Sequence, residues 1–361
     1  MKKKVLVAMS GGVDSSVTLL KILEMGYEAI GVTMKLWEYK TMGGINLQEN
    51  NCCAVSSINK AKLVCDRMNV PHYTIDFTEN FKEKVVNNFV DEYLDGRTPN
   101  PCVRCNSFIK WDTFIKHAEI LGADYIATGH YAQIENINND YFIKQGVDDK
   151  KDQSYVLWGI PKDTLSKTIL PLGGYTKEQV RNIARENNLE TADEPESMEI
   201  CFIADNNYKR FIKEYEPEKT SKVTDGKTLD EDGNIIGENS GYINYTIGQR
   251  RGIGLSNENP LYVKTIDSKN NTITVSEKQS LFKDICKVNN INWLIDTPNF
   301  PYNMLCQIRY NGAKNEAHIN VIDNSHIVKF KNPQLAITPG QSIVFYKDDI
   351  LLGGGVIENY E

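Results

Sequence analysis

The sequence predicts an α/β protein: an N-terminal doubly wound parallel sheet followed by two small mainly-β domains, the last a β-barrel. Three observations carry this. Through the first two hundred residues short apolar runs alternate with helical patterns, the order that builds a parallel sheet with helices on both faces. A glycine turn, Ser10-Gly11-Gly12-Val13-Asp14-Ser15-Ser16, lies between the first strand and the first helix. After Asn206 helical patterns become sparse, and extended runs punctuated by Asp-Gly take over. The expected domains are 1–205, 206–283 and 284–361.

The elements follow in order. Val5 to Met9 is an unbroken apolar run, the mark of a strand buried on both faces. Val17, Leu20 and Leu23 line one face of a helix that Gly26 stops. Glu28 to Met34 is a strand, and a Gly/Asn-rich loop from Met42 to Asn51 follows. Ser56 to Met68 reads as a helix, His72 to Phe77 as a strand, and Phe81, Val85, Phe89 and Tyr93 mark the next helix. Another helix carries Phe108, Trp111, Ala118 and Leu121; Asp124 to Thr128 is a strand; Lys177 to Asn187 is a helix. Beyond the short helix Tyr208–Tyr215, Asp225-Gly226 and Asp232-Gly233 signal hairpins. Tyr242 to Ile247, Pro260 to Ile266, Asn271 to Val275 and Gln307 to Tyr310 alternate as strands do, and Gly353-Gly354-Gly355 ends or turns the last one.

The first turn carries the first chemistry. Gly11 and Gly12 have no Cβ, so a ligand can approach the backbone closely. Free N–H groups and the positive end of the helix favour an anion there. Ser10, Ser15 and Ser16 add hydroxyls, and the Asp14 carboxylate can cap the helix or hold a metal. No Lys follows the glycines, which excludes a Walker A loop. A bare Gly-Gly turn would be a tight connector, but here a run of adjacent residues suits one task. Ser-Gly-Gly-Val-Asp-Ser resembles the pyrophosphate-binding loop (PP-loop) of the ATP pyrophosphatases, which adenylate a substrate and release pyrophosphate.

Composition narrows the partners. A net charge of −7 argues against non-specific nucleic-acid binding, so an RNA site would need a local basic patch. No apolar run is long enough to span a membrane. The basic Met1 to Lys4 leads through a short apolar stretch straight into the glycine turn, which reads as a strand and not a signal peptide. The expected location is cytoplasmic, without a membrane partner. Eight cysteines in a chain of 361 residues without a secretory leader point to chemistry or burial, not to a disulfide scaffold.

Three further runs stand out. In Asn100-Pro101-Cys102-Val103-Arg104-Cys105-Asn106 two cysteines three apart precede a helix, where thiolates are stabilised. A redox pair, half a metal site and two loop cysteines all fit. Lys151-Asp152-Gln153-Ser154-Tyr155 reads by itself as a solvated turn, and Cys201, between Ile200 and Phe202, as a core cysteine. Thr246 to Gly252 sets Arg250 and Arg251 beside glycines, as a phosphate-contacting loop or a charged hairpin would.

Taken together these runs resemble the bacterial tRNA-specific 2-thiouridylases, the MnmA family. The matching segments are Met9–Ser16, Gly96–Asn106, Ala127–His130, Lys151–Tyr155, Ser197–Ile203, Tyr245–Gly252 and Arg309-Tyr310, in family order over nearly the whole chain. The resemblance implies that ATP, with magnesium, adenylates the C2 oxygen of uridine 34 in tRNA. Sulfur then displaces AMP. It places the nucleophile at Cys105 and the persulfide at Cys201, reversing the core reading of Cys201. Ala8, Met9, Ser10, Gly11, Gly12, Val13, Asp14, Ser15, Met34 and Gly129 match the ATP contacts. His130, Lys151, Asp152, Gln153, Arg309, Tyr310 and Gln341 match positions that touch tRNA. The expected partners are tRNAs for lysine, glutamate and glutamine and a cysteine desulfurase or sulfur relay.

One departure stands out. Many relatives carry Asp where this chain has Cys102, so Cys102, Cys105 and Cys201 form an all-sulfur set. Three thiolates with an open fourth position suit a 4Fe–4S cluster carrying sulfide, whereas a persulfide route needs only Cys105 and Cys201; both stay open at this stage. Asn239 stands where the family often has His, and is assigned no role. Cys52 and Cys53 match a family pair of unassigned chemistry; Cys65, Cys286 and Cys306 read as core. Two other readings compete: an adenylating synthetase with a small substrate, which leaves the cysteines unexplained, and a non-catalytic RNA-binding or sulfur-carrier protein, which leaves the intact glycine loop unexplained.

Overall fold

The computed structural model describes residues 2–37, 55–195, 200–203 and 205–360. The Met42–Asn51 loop, Cys52, Cys53 and Ser197 to Glu199 lie outside the described residues. The chain divides into two compact units. One holds residues 1–85, 102–207 and 348–352; the other holds 86–101, 208–347 and 353–361.

The first unit is built on a parallel sheet of β1 (Lys4–Ala8), β2 (Glu28–Lys35), β3 (His72–Asp76), β4 (Tyr125–Ala127) and β7 (Thr168–Ile169), with the hairpin β5 (Ala132–Ile137) and β6 (Asp140–Gln145) between the last two in sequence. Among the described residues the order is β3-β2-β1-β4-β7, every pair parallel. Val5, Val7 and Met9 pack against helices α1 (Val13–Glu24) and α2 (Val55–Arg67), through Leu19, Ile22, Ala61 and Val64. Strand alternation turns Leu6 to the opposite face, where it is equally buried. Both faces are therefore covered, as the unbroken apolar run requires.

The remaining helices are α3 (Thr78–Phe81), α4 (Asn87–Leu94), α5 (Pro101–Arg104), α6 (Phe114–Ile120), α7 (Lys177–Glu186), α8 (Tyr208–Tyr215) and α9 (Pro217–Thr220). Phe81, Val85, Phe89 and Tyr93 are all buried, as their spacing predicts. Two stretches wind more widely than an α-helix: Lys82–Val86 and Cys105–Thr113 are π-helical. In the second, Trp111 is buried with its Nε1 donating to Thr168 Oγ1 at 2.9 Å, while Phe108 is exposed.

The second unit contains a four-stranded sheet and a barrel among the described residues. The sheet runs β10 (Leu261–Asp267), β11 (Thr272–Glu277), β8 (Gly226–Leu229), β9 (Ile235–Asn239). Asp232-Gly233 makes the expected β8–β9 hairpin, but Asp225-Gly226 opens β8. The strand expected over Tyr242–Ile247 is absent among the described residues. Gly241, at φ 95°, starts a short 3-10 turn over Tyr242–Asn244, whose tyrosine and isoleucine enter the core beside Val263 and Ile273. The barrel comprises β12 (Phe282–Trp293), β13 (Tyr302–Gln307), β14 (Asn315–Ile322), β15 (Ser325–Leu335), β16 (Ser342–Lys347) and β17 (Ile350–Tyr360), closed by β12 against β17. The triple glycine lies inside β17 and does not end it: a Cβ on Gly353 would sit 2.1 Å from the Asn292 carbonyl oxygen.

Leu6 has neighbours on every side in the central strand, so the site cannot collapse when it is trimmed. Leu6→Ala is expected to cost about 2–5 kcal/mol, read as a lowered denaturation midpoint of the N-terminal unit in urea.

Candidate active site

All the groups that make up the nucleotide loop lie at the carboxyl ends of neighbouring strands. Met9 leaves β1 with its N–H bonded to the Val32 carbonyl at 2.8 Å. Gly11 then takes φ 81°, a left-handed conformation, and its Cα faces the Ser57 carbonyl so closely that a Cβ would stand 2.3 Å from that oxygen. Gly12 is the N-cap of α1, and its side-chain-free position leaves the first-turn N–H groups open. The Gly12 carbonyl accepts from Ser15 Oγ at 2.9 Å and Ser16 Oγ at 3.0 Å, and Ser10 Oγ reaches Ser15 Oγ at 3.3 Å. Ser16 also accepts from Thr191 Oγ1 at 2.9 Å. The turn is thus fixed by its own hydroxyls. From β4 comes Gly129, where a Cβ would lie 3.0 Å from the Asp14 Cβ. The close approach of Gly129 to α1 explains a glycine there.

Asp14 does not cap the helix. Its carboxylate accepts from Lys177 Nζ at 2.8 Å on each oxygen and from Tyr131 Oη at 2.7 Å. Both oxygens are therefore engaged, by an ammonium and a phenol from outside the glycine turn. Neither Lys177 nor Tyr131 was singled out by the sequence motifs: they lie 163 and 117 residues from Asp14.

A second cluster surrounds His130, which is 7 % exposed. Lys110 Nζ lies 3.4 Å from His130 Nε2, and Thr128 Oγ1 lies 2.7 Å from Nδ1. An ammonium only donates, so Nε2 accepts and the ring proton sits on Nδ1, donated to Thr128. Burial, then the nearby Lys110 charge, hold the His130 pKa well below that of a free imidazole. Cys102 is open to solvent as a residue, but crowding around its thiol pushes its pKa up, and Lys110 pulls in the opposite direction. Cys105 and Cys201 are half-buried. Asn106 anchors the motif by donating from Nδ2 to the Val156 carbonyl at 3.0 Å, and Arg104 Nε donates to the Lys84 carbonyl at 2.7 Å.

Comparison with known proteins now bears on this geometry. Residues 3–205 match the model of the "tRNA methyl transferase HUP domain", 209–277 that of the "tRNA methyl transferase PRC-barrel domain" and 283–357 that of the "Aminomethyltransferase beta-barrel domain". The chain is 46 % identical to the tRNA-specific 2-thiouridylase MnmA of Carboxydothermus hydrogenoformans, over 99 % of this chain and 98 % of that one. It is 45 % identical to the protein of the same name from Natranaerobius thermophilus, over 99 % of this chain and 98 % of that one. The chain belongs to the MnmA family of tRNA-specific 2-thiouridylases.

Within this family member the residues expected to meet tRNA are held in distinct ways. In the first unit Asp152 accepts from the N–H groups of Gly146 and Ser154 and from Ser154 Oγ, and Gln153 Oε1 accepts from the Tyr131 N–H at 3.0 Å. These two side chains organise the loop around Lys151, so the run is not a merely solvated turn. In the second unit Arg309 and Tyr310 are exposed on a turn after β13, which Gln307 holds by donating to both their carbonyls. Arg309 donates to the Ala336 carbonyl at 3.0 Å. Gln341 Nε2 donates to the carbonyls of Thr98 and Pro99 at 2.9 and 3.0 Å. Gln307 carries no motif, and only the structure reveals its part. Arg250 and Arg251 are exposed on a glycine-bounded turn, not a hairpin.

The iron–sulfur expectation meets a geometric obstacle. Among the described residues no three Cys, His, Asp or Glu side chains converge as a metal site, so Cys102, Cys105 and Cys201 do not form the expected cluster cage. No step is assigned to a cluster. Among the described residues no helix is long and apolar enough to cross a membrane.

Two outcomes follow from this geometry. Gly11→Ala places a methyl group against the Ser57 carbonyl in a left-handed backbone, costing about 1–2 kcal/mol from conformation alone; ATP-induced thermal stabilisation should be lost in the variant. His130 has a depressed folded pKa, so below pH of about 6.5 the unfolded chain takes up its proton first. Its contribution to stability is complete above that pH and falls as the pH drops. Denaturation at pH 7 and pH 5 should show a smaller acid loss for His130→Asn than for the parent chain.

Proposed function

We propose that the chain catalyses ATP-dependent 2-thiolation of uridine 34 in the tRNAs for lysine, glutamate and glutamine, in the cytoplasm. The observation that carries the reading is the Ser10–Ser16 turn: a left-handed glycine, an open helix N-terminus and internally bonded hydroxyls form a rigid anion cradle. Ala8, Met9, Ser10, Gly11, Gly12, Val13, Asp14, Ser15, Met34 and Gly129 serve ATP. The uridine C2 oxygen attacks the α-phosphorus and pyrophosphate leaves. This converts a poor leaving oxygen into AMP.

Sulfur arrives from a cysteine desulfurase or a relay and rests on Cys201 as a persulfide. Transfer of its terminal sulfur to C2 expels AMP, and Cys105 attacks the persulfide or its adduct to complete the exchange, leaving Cys105 and Cys201 oxidised as a disulfide. Cys102 takes no part in this sequence. Among the tRNA-facing residues, His130, Lys151, Asp152 and Gln153 belong to the segment 1–205, and Arg309, Tyr310 and Gln341 to the barrel segment 284–361; the segment 206–283 links the two. Splitting one difficult displacement into two easier ones is the logic of the scheme.

The test is tRNA-dependent pyrophosphate release measured together with thiolated uridine. Cys105→Ser and Cys201→Ser are each expected to lower thiolation by at least about a thousandfold, the scale typical of removing a covalent group, while pyrophosphate release persists. Full thiolation in either variant would reject the assigned roles; ATP turnover that ignores tRNA would reject the substrate.

A further inference from the structure

We propose that Lys177 is the positioning residue of the ATP site, neutralising Asp14 so that the positive end of α1 stays available to the polyphosphate. The inference rests on the ATP reading above. Asp14 lies in the first turn of α1, beside the open N–H groups that would receive phosphate. A bare carboxylate there satisfies the helix terminus itself and repels an incoming anion. The structure removes that conflict. Lys177 Nζ stands 2.8 Å from both Asp14 oxygens, with its side chain only 11 % exposed. The pair is planted firmly. Lys177 is the first residue of α7, which opens on a full capping box between Thr176 and Gln179. Its N–H donates to Asp148 Oδ2 at 3.0 Å, and its ammonium lies 5.6 Å over the Tyr131 ring. Tyr131 Oη completes the hold on Asp14 at 2.7 Å. Val180 and Ala184 of α7 pack with Val13 and Val17 of α1, so the two helices share one core and carry the charge pair at its rim.

This arrangement gives Asp14 and Lys177 one joint task. The Lys177 ammonium offsets the Asp14 carboxylate, so the positive end of α1 is not spent on that carboxylate. AMP lacks the β- and γ-phosphates and feels an unpaired Asp14 less than ATP does.

Isothermal titration of the full-length protein with ATP and with AMP tests the proposal. In Lys177→Met the Kd for ATP should rise at least about tenfold and that for AMP less than about threefold, because the repulsion scales with ligand charge. Adding Asp14→Asn to that variant removes the unpaired charge and should lower the ATP Kd at least about threefold from that of Lys177→Met. Lys177→Arg, which keeps the charge, should bind ATP within about threefold of the parent. The double variant also carries the comparison if Lys177→Met alone fails to fold. Unchanged ATP binding in Lys177→Met, equal losses for ATP and AMP, or no recovery in the double variant would overturn the proposal. If the parent chain binds no ATP at all, it is the ATP reading that fails.

Discussion

The approach of Gly11 to the Ser57 carbonyl is the constraint on which the site depends. The oxygen occupies the space a side chain would need, and the φ of 81° is one that glycine alone takes at no cost. Because the chain turns there, α1 begins immediately beyond β1 and aims its N-terminus over the sheet edge. Gly129 comes in beyond the adjacent strand, so near that a Cβ there would stand 3.0 Å from the Asp14 Cβ. Two missing Cβ atoms thus bring the ends of β1 and β4 together. The hydroxyls of Ser15 and Ser16 then use the Gly12 carbonyl as a common anchor. Rigidity here has a purpose, since an anion cradle stabilises charge best when its dipoles need not reorganise.

Much of this was legible in the sequence. The buried apolar run before the glycines announced a central strand, and the turn residues announced a ligand site. What the sequence concealed is contact at long range. Lys177 looks like an ordinary first-turn lysine until the fold lays α7 along α1. Tyr131 looks like a core tyrosine until its hydroxyl is seen on Asp14. The partners of Asp14 stayed hidden for the same reason, because they arrive from distant segments. The cysteines show the converse. Their composition suggested a three-thiolate cage, but shared chemistry in the sequence does not guarantee convergence in space.

In the second unit the misread stretches have local causes. Tyr242 to Ile247 alternates like a strand, but Gly241 at positive φ folds it into a turn and sends Tyr242 and Ile243 into the core. Three glycines in β17 imitate a terminus, yet at Gly353 and Gly355 β12 crosses too near for a side chain. In each case hydrophobic periodicity was correct about burial and silent about backbone path. The barrel itself has buried aromatic and aliphatic residues on β16, Ile343 to Tyr346, which alternation alone would have placed half outside.

The wide helical stretch Cys105–Thr113 sets a length rule for the motif. Hydrogen bonding five residues back accommodates one more residue per turn than the α-form. Removing one residue between Cys105 and Lys110 would let the segment tighten into an ordinary helix with little loss of bonding. The α-form turns about 100° per residue and the wider form less, so the later side chains would keep nearly their present phase. Lys110 would still face His130. One residue can therefore be lost between Cys105 and Lys110 without parting the lysine from the histidine, whereas a second loss would turn the lysine away.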